Sequence, residues 1–412
     1  MHCDLLLTNI KELVQVRPDA IKKVSGKAMA ELPTLADAYL TITRGKITDF
    51  GTMDSLADDV NTSKTWDCTG CFVFPSFVDS HTHLVYAVGR ADEFVMKIKG
   101  ATYQQIAAAG GGILNSARKL QTLSEDELLE RTLPRAWEII RSGTGAVEIK
   151  SGYGLTVKDE IKMLRVARRI AHETPLTVKT TFLGAHAVPA DVTKERYIQI
   201  ILNEMIPAVA QEQLADYIDV FCEQGFFSPS ETELIVEQGK RFGMKPRIHA
   251  NQLYNSGGVQ VGIKTGAISV DHLENIGEEE IEALRKSDVM PTALPGAAFF
   301  LNLPFPPARK MMEAGLPLAI ASDYNPGSAP SGNMSLMLSM ACIKMKMTPA
   351  EAINATTLNT AYALELSDTH GSITEGKVAN LVITKPMDSY SFLPYAFGSN
   401  LIDQVILNGK LL

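Results

Sequence analysis

Short apolar runs recur along the chain, and the stretches between them repeat their apolar positions with the spacing of a helix. The strand-like runs end at or near His83, Lys150, His186, Glu223, His249, His272, Leu294 and Ser322. The segments between them, such as Ser124 to Arg141 and Lys158 to Glu173, have the period of helices with one buried face. Ser124-Glu125-Asp126-Glu127 opens the first of these with a serine that can cap the helix and a glutamate that can return the bond. Eight strands separated by helices is the count of a (β/α)8 barrel, in which site residues come from the carboxyl ends of several strands.

The two ends of the chain have a different texture. They hold short alternating segments: Asp4 to Thr8, Ala38 to Thr43 followed by Arg44-Gly45-Lys46, Val378 to Thr384, and Val405 to Leu412. Asn408-Gly409 within the last of these is a hairpin signal, because both residues tolerate the positive φ of a tight turn. The expected architecture is α/β: a TIM-like (β/α)8 barrel over residues 71–370, joined to a small composite β-sandwich domain built from 1–70 and 371–412.

Composition narrows the class. A chain of 412 residues can bury a core of this size, and 45% hydrophobic with 21% charged residues is ordinary for a globular enzyme. A net charge of −8 and a pI near 5.6 argue against a nucleic-acid or anionic-membrane partner. No apolar run approaches the ~20 residues of a membrane span, and Met1 to Thr8 lacks the features of a signal peptide. A cytoplasmic location is therefore expected. The five cysteines, at positions 3, 68, 71, 222 and 342, do not form a disulfide framework. Cys68-Thr69-Gly70-Cys71 has zinc-knuckle or redox spacing, but no second pair accompanies it and it sits in strand-like sequence, so it is read as structural.

The chemistry concentrates on histidine. Only eight occur, at 2, 81, 83, 172, 186, 249, 272 and 370, and five of these lie at the carboxyl ends of expected strands. His81 and His83 are two apart on one strand, so their side chains share a face and can share one metal ion. Later strands add His249, His272 and, after Ala319-Ile320-Ala321-Ser322, Asp323. Three neutral imidazoles and a carboxylate suit Zn²⁺ or Fe²⁺ better than Mg²⁺ or Ca²⁺, and one group of the five can stay off the metal to move protons.

Longer stretches carry a resemblance: Phe77 to His83, Arg90-Ala91-Asp92-Glu93-Phe94, Gly110-Gly111-Gly112-Ile113, Glu148 to Gly154, Leu183 to Pro189, Ser269 to Leu273, and Ser322 to Ser328. Together they resemble the amidohydrolase superfamily and, within it, the imidazolonepropionases. The resemblance covers nearly the whole chain and implies a metallo-hydrolase barrel acting on a small molecule. The implied reaction is the third step of histidine degradation, hydrolysis of the cyclic amide of 4-imidazolone-5-propanoate to N-formimidoyl-L-glutamate. It also implies one Zn²⁺ or Fe ion per subunit on His81, His83, His249 and Asp323, and a homodimer as the default assembly. Substrate contacts are implied at Arg90, Tyr153, His186, Gln252, Asn325, Gly327 and Ser328. Some family members have a glutamate where this chain has Gln252, which cannot take a proton, so His272 or Asp323 is expected to act as the catalytic base.

Plainer readings stand beside these. Arg90 can be a surface ion-pair partner of its acidic neighbours, Tyr153 a rim aromatic, and His186 a capped strand-end histidine. The glycines at 110–112 lack a following Gly-Lys-Ser/Thr and are read as an active-site loop rather than a phosphate cradle. Lys150 can be a carboxylated bridge between two ions, but pairing with a carboxylate such as Glu148 or Asp79 is preferred. Two other functions are open: a metal-dependent deaminase of a cytosine- or guanine-like ring, and a non-catalytic scaffold, which the full ligand set disfavours.

Overall fold

The structure is a computed structural model that describes residues 2–101, 105 and 111–412. Eight parallel strands follow one another in sequence order around a barrel. They are β1 (Phe77–Thr82), β2 (Thr144–Lys150), β3 (Thr177–Ala185), β4 (Tyr217–Cys222), β5 (Lys245–Ala250), β6 (Ser269–His272), β7 (Met290–Ala293) and β8 (Ala319–Ile320). Each matches one of the strand ends expected from the apolar pattern. β8 is only two residues long, and the ring closes just beyond it. There the Asp323 N–H donates to the His81 carbonyl at 3.0 Å and the His83 N–H to the Tyr324 carbonyl at 2.9 Å. The backbone that closes the barrel thus belongs to three of the expected metal ligands.

Strand alternation sorts each barrel strand into an inner and an outer face. In β2, Val147 and Ile149 join the core shared with the outer helices, so Glu148 and Lys150 point inward. The helix Glu125–Arg141 begins with the expected capping box and packs Leu128, Ala136, Ile139 and Ile140 into that core. Helix and strand approach so closely at Gly239 that a Cβ would run into the Ile218 side chain, which is why the helix Pro229–Arg241 tolerates a poor helix former there.

The chain ends meet in one mixed sheet. Its order is Lys410–Leu411, Ile402–Leu407, Leu381–Thr384, Phe72–Pro75, Leu5–Val14, Thr34–Thr43 and Lys46–Thr52, with Thr65–Asp67 pairing beside Leu5–Val14. A separate two-stranded sheet joins His2–Cys3 to Asn61–Thr62. Leu7, Ile10, Leu13, Leu40, Ile42, Val73, Leu381 and Ile406 form the core of the larger sheet. Asn408 (φ 52°) and Gly409 (φ 76°) make the hairpin that the Asn-Gly pair predicts, with Leu407 opposite Lys410. Phe72–Pro75 pairs with Leu381–Thr384, so the apolar run leading to His81 is split between the two sheets at Ser76. Cys68 and Cys71 are both free and buried, and burial pushes the Cys68 thiol up to about 12, so neither is a ready thiolate.

Candidate active site

Alternation on β1 puts Asp79, His81 and His83 on one inward face, and register places His249 of β5 and Asp271 of β6 beside them. The result is a buried cluster in which one ligand atom each from His81, His83 and His249 lie within 4.8 Å of one another. His81, His272 and Asp323 form a second set meeting the same limit. Asp323 Oδ1 is 3.5 Å from Nε2 of both His81 and His83.

The donor chemistry fits a cation. His81 Nδ1 lies 2.7 Å from Asp271 Oδ2, and His249 Nδ1 lies 2.9 Å from Asp219 Oδ2. A carboxylate at Nδ1 keeps the proton there and leaves the lone pair on Nε2. The two Nε2 atoms face each other at 3.1 Å. Burial, reinforced by Lys150, holds the His81 pKa well below its usual value, and burial lowers that of His249 against the pull of Asp219. Two such acceptors turned to one point in a desolvated site fit a shared cation beside them.

Beneath this cluster lies a ring of charge that the sequence reading did not pick out. Lys150 Nζ bridges Glu148 Oε1 at 2.8 Å and Asp219 Oδ2 at 2.9 Å. This is the ion pairing expected of Lys150, although Asp219 rather than Asp79 is the second partner. Asp79 instead accepts from the N–H and hydroxyl of Ser322. Burial opposes the charge on Lys150, but Asp219 and Glu148 outweigh it and its pKa lies above the ordinary value. Arg247, fully buried, donates to Asp271 Oδ2 at 3.2 Å, to the Ser80 carbonyl and to the Ala363 carbonyl. Two relays result, Arg247–Asp271–His81 and Lys150–Asp219–His249, each fixing the tautomer of one imidazole. Arg247→Met should cost about 3–5 kcal/mol of stability in urea unfolding, because it strands the buried Asp271 carboxylate.

The carboxyl ends of β6 and β8 are strained. His272 has φ 91° and Asp323 has φ 56°, a region that non-glycine residues seldom occupy. His272 Nδ1 is 3.3 Å from Glu274 Oε1, while Glu274 Oε2 is buried without a hydrogen-bond partner. Burial works against the charge on His272, but Glu274 prevails and raises its pKa. Burial raises the Asp323 carboxyl to about 6, and a bound dication would return it to the carboxylate form.

A cavity of about 600 Å³ opens above the cluster. Its lining includes His83, His249, His272 and Asp323, together with Arg90, Tyr153, His186, Gln252, Asn325, Gly327 and Ser328. Arg90 is not an ion-pair partner of its acidic neighbours. Its Nε donates to Ser116 Oγ at 2.9 Å, Nη2 is buried without a partner, and Glu93 instead accepts from the Gly112 N–H at 3.0 Å. The guanidinium lies 5.6 Å from the Tyr153 ring centre. His186 stacks on His83 at 5.1 Å, and its Nδ1 donates to the Gly152 carbonyl at 3.0 Å. Burial lowers the His186 pKa to about 3, so it faces the cavity as a neutral acceptor at Nε2. Ser328 Oγ reaches Asp323 Oδ2 at 3.2 Å. Asn325 spends its side chain inside its own turn, donating to the Asp323 carbonyl and Ser328 Oγ and accepting from the Gly327 and Ser328 N–H groups. Gly327 lets Arg90 come close, since a Cβ there would meet Nη1 and the guanidinium would have to shift. Of the glycines expected to form an active-site loop, Gly110 lies outside the described residues; Gly112, at φ 82°, caps the helix Ile113–Gln121.

A model of the amidohydrolase family matches residues 72–412. The chain belongs to that family. This amidohydrolase is 55% identical over 409 residues to an imidazolonepropionase of Flavobacterium johnsoniae, covering 99% of each chain. It is 54% identical over 410 residues to one of Christiangramia forsetii, covering 99% of this chain and 100% of that one. Among solved structures it resembles a zinc-bound adenosine deaminase from Xanthomonas campestris, with TM-score 0.72 and 18% identity over 100% of this chain and 93% of the other. E. coli guanine deaminase aligns with TM-score 0.71 and 15% identity over 99% of this chain and 98% of the other. At such identities the likeness is one of fold. Asp219, Arg247, Asp271 and Glu274 of the amidohydrolase escaped the sequence reading, yet Arg247 lies two residues before His249 and therefore on its face. Charged residues at inward positions of barrel strands were the available signal.

Proposed function

We propose that this amidohydrolase opens the ring of 4-imidazolone-5-propanoate by hydrolysis of its cyclic amide, giving N-formimidoyl-L-glutamate. The observation that carries this reading is the pairing of a buried cluster of three histidines and one aspartate with a cavity that Arg90 lines. Relatives at 55% and 54% identity over nearly their full lengths bear the name of this activity. His81, His83, His249 and Asp323 would hold one Zn²⁺ or Fe ion per chain. When bound, the ion supplies a Lewis acid for the ring carbonyl and lowers the pKa of a water from about 15.7 towards about 7.

The chain's own residues do the rest. Arg90 takes the propanoate carboxylate through its free guanidinium edge, a bidentate match that sets the distance of the ring from the cluster. His186 accepts a ring N–H at Nε2, and Tyr153 packs beside it to orient the ring plane. His272, with Glu274 at Nδ1, would receive the proton of the attacking water at Nε2 and pass it to the departing ring nitrogen. Asp323 is the other candidate for the base, with Ser328 bonded to its second oxygen. Gln252, which lines the cavity, orients substrate or water by hydrogen bonds and carries no proton. Gly327 and Asn325 shape the loop against Arg90.

The test is a paired assay on the purified protein. Loss of 4-imidazolone-5-propanoate without ammonia release, with about one metal ion per chain by elemental analysis, is the expected result. Ammonia released from a cytosine- or guanine-like ring would establish a deaminase instead. A metal ratio near two would restore the bridging reading of Lys150. Among the described residues no helix is long and apolar enough to cross a membrane. The assembly we propose is a cytoplasmic homodimer, which light scattering on the purified protein checks.

A further inference from the structure

The cavity has a second cation that the proposed reaction has not used. Lys97 lies on the helix Ala91–Ile98, one face of which reaches the cavity lining through Arg90, Glu93, Phe94, Lys97 and Ile98. None of the helix's residues is fully buried, so Lys97 is not needed for the core. Its Nζ donates to the Gly327 carbonyl at 3.4 Å and stands 5.8 Å from the centre of the Phe300 ring. Arg90 flanks the same residue, since a Cβ on Gly327 would strike its guanidinium. Lys97 and Arg90 therefore bracket Gly327.

Two cations placed this close repel each other unless an anion separates or bridges them. Among the described residues no carboxylate lies at ion-pairing distance from either. The nearest acid on their helix, Glu93, is committed to the Gly112 N–H and the Asn115 amide. Arg90 keeps a buried Nη2 without a partner, and the Lys97 ammonium has donors beyond its single long bond. Partial burial and the nearby Arg90 charge lower the Lys97 pKa, against a smaller opposing pull from Glu93. The apolar ring of Phe300 dries one side of the position, where a charge-assisted bond is worth most.

We infer that Lys97 is a second anchor for the carboxylate arm of the substrate, acting with Arg90 across Gly327 to select ligands that carry a negative end. This rests on the ring-opening reading for the identity of the arm, but not for the binding itself. Arg90 supplies a fixed planar fork and Lys97 a mobile point charge, which together tolerate the swing of the arm as the ring opens.

Binding of imidazole-4-propanoate and of uncharged 4-methylimidazole to the metal-loaded protein separates the outcomes. The wild type should prefer the carboxylate ligand, and Lys97→Met should shrink that preference about tenfold, the worth of one charge-assisted bond. Lys97→Arg should keep it. With 4-imidazolone-5-propanoate as substrate, Lys97→Met should raise KM about tenfold and leave kcat within about twofold. The inference fails if the wild type shows no preference, if Lys97→Met leaves the preference unchanged, or if both ligands weaken equally. Should the Lys97 effect on binding appear while the wild type opens no imidazolone ring, the proposed reaction fails and the carboxylate site stands.

Discussion

Replacing His272 by Gln is expected to lower kcat by roughly 10²-fold or more while leaving about one metal ion per chain, the usual scale for losing a general base. The surroundings of His272 differ from those of two of the expected metal ligands. His81 and His249 each have Nδ1 against an aspartate that is itself held by a buried cation, whereas His272 has Nδ1 against Glu274, whose second oxygen is unpartnered. A glutamate without such a buried cation favours an imidazole that can gain and lose a proton, and Glu274 does raise the pKa of His272. Gln retains the volume and a hydrogen bond to Glu274 but cannot be protonated. Turnover and elemental analysis on the same preparation give the answer. Unchanged turnover would pass the role to Asp323, and loss of metal would make His272 a ligand.

Arg90→Met is expected to raise KM for 4-imidazolone-5-propanoate about 10²-fold, because removing one partner of a desolvated charge pair costs about 2–5 kcal/mol. Arg90 is well placed for that effect, with Nε locked by Ser116, the plane held near Tyr153 and Nη2 left over. Arg90 lines the cavity but belongs to neither group of possible metal ligands, so the loss should be chiefly one of binding and kcat should fall less than kcat/KM. Initial-rate kinetics over a wide substrate range measure both. A normal KM in the variant would show that the arm is held elsewhere. The larger effect expected here than for Lys97 follows from the bidentate fork of Arg90.

Much of this molecule was legible before folding. The eight apolar runs became eight barrel strands ending within a residue or two of the expected positions, because a strand buried on both faces leaves a local mark that needs no partner. Ser124 and Asn408-Gly409 acted as expected for the same reason, since a cap and a tight turn are settled within four residues. The two-residue spacing of His81 and His83 sufficed to place both rings on one face.

What escaped were the buried charge pairs between strands. Arg247 reaches Asp271 and Lys150 reaches Asp219 only because β5 pairs with β6 and β2 lies near β4 in a closed ring. The mixed sheet claims Phe72–Pro75 from what reads as one continuous run, because backbone pairing and not hydrophobicity decides membership. Asn325 makes the turn that its composition suggests, and the fold sets that turn in the cavity lining.

The sequence by itself determined the strand and helix order, the joining of the chain ends and the set of side chains able to hold a metal. These are local properties of period, turn chemistry and residue type. Only the tertiary structure decided which nitrogen of His81 and of His249 meets an aspartate, which histidine meets Glu274, and which cations are spent in buried ion pairs. Those outcomes depend on carboxylates and cations brought together from distant strands, where desolvation turns a contact of about 3 Å into a choice of tautomer or charge.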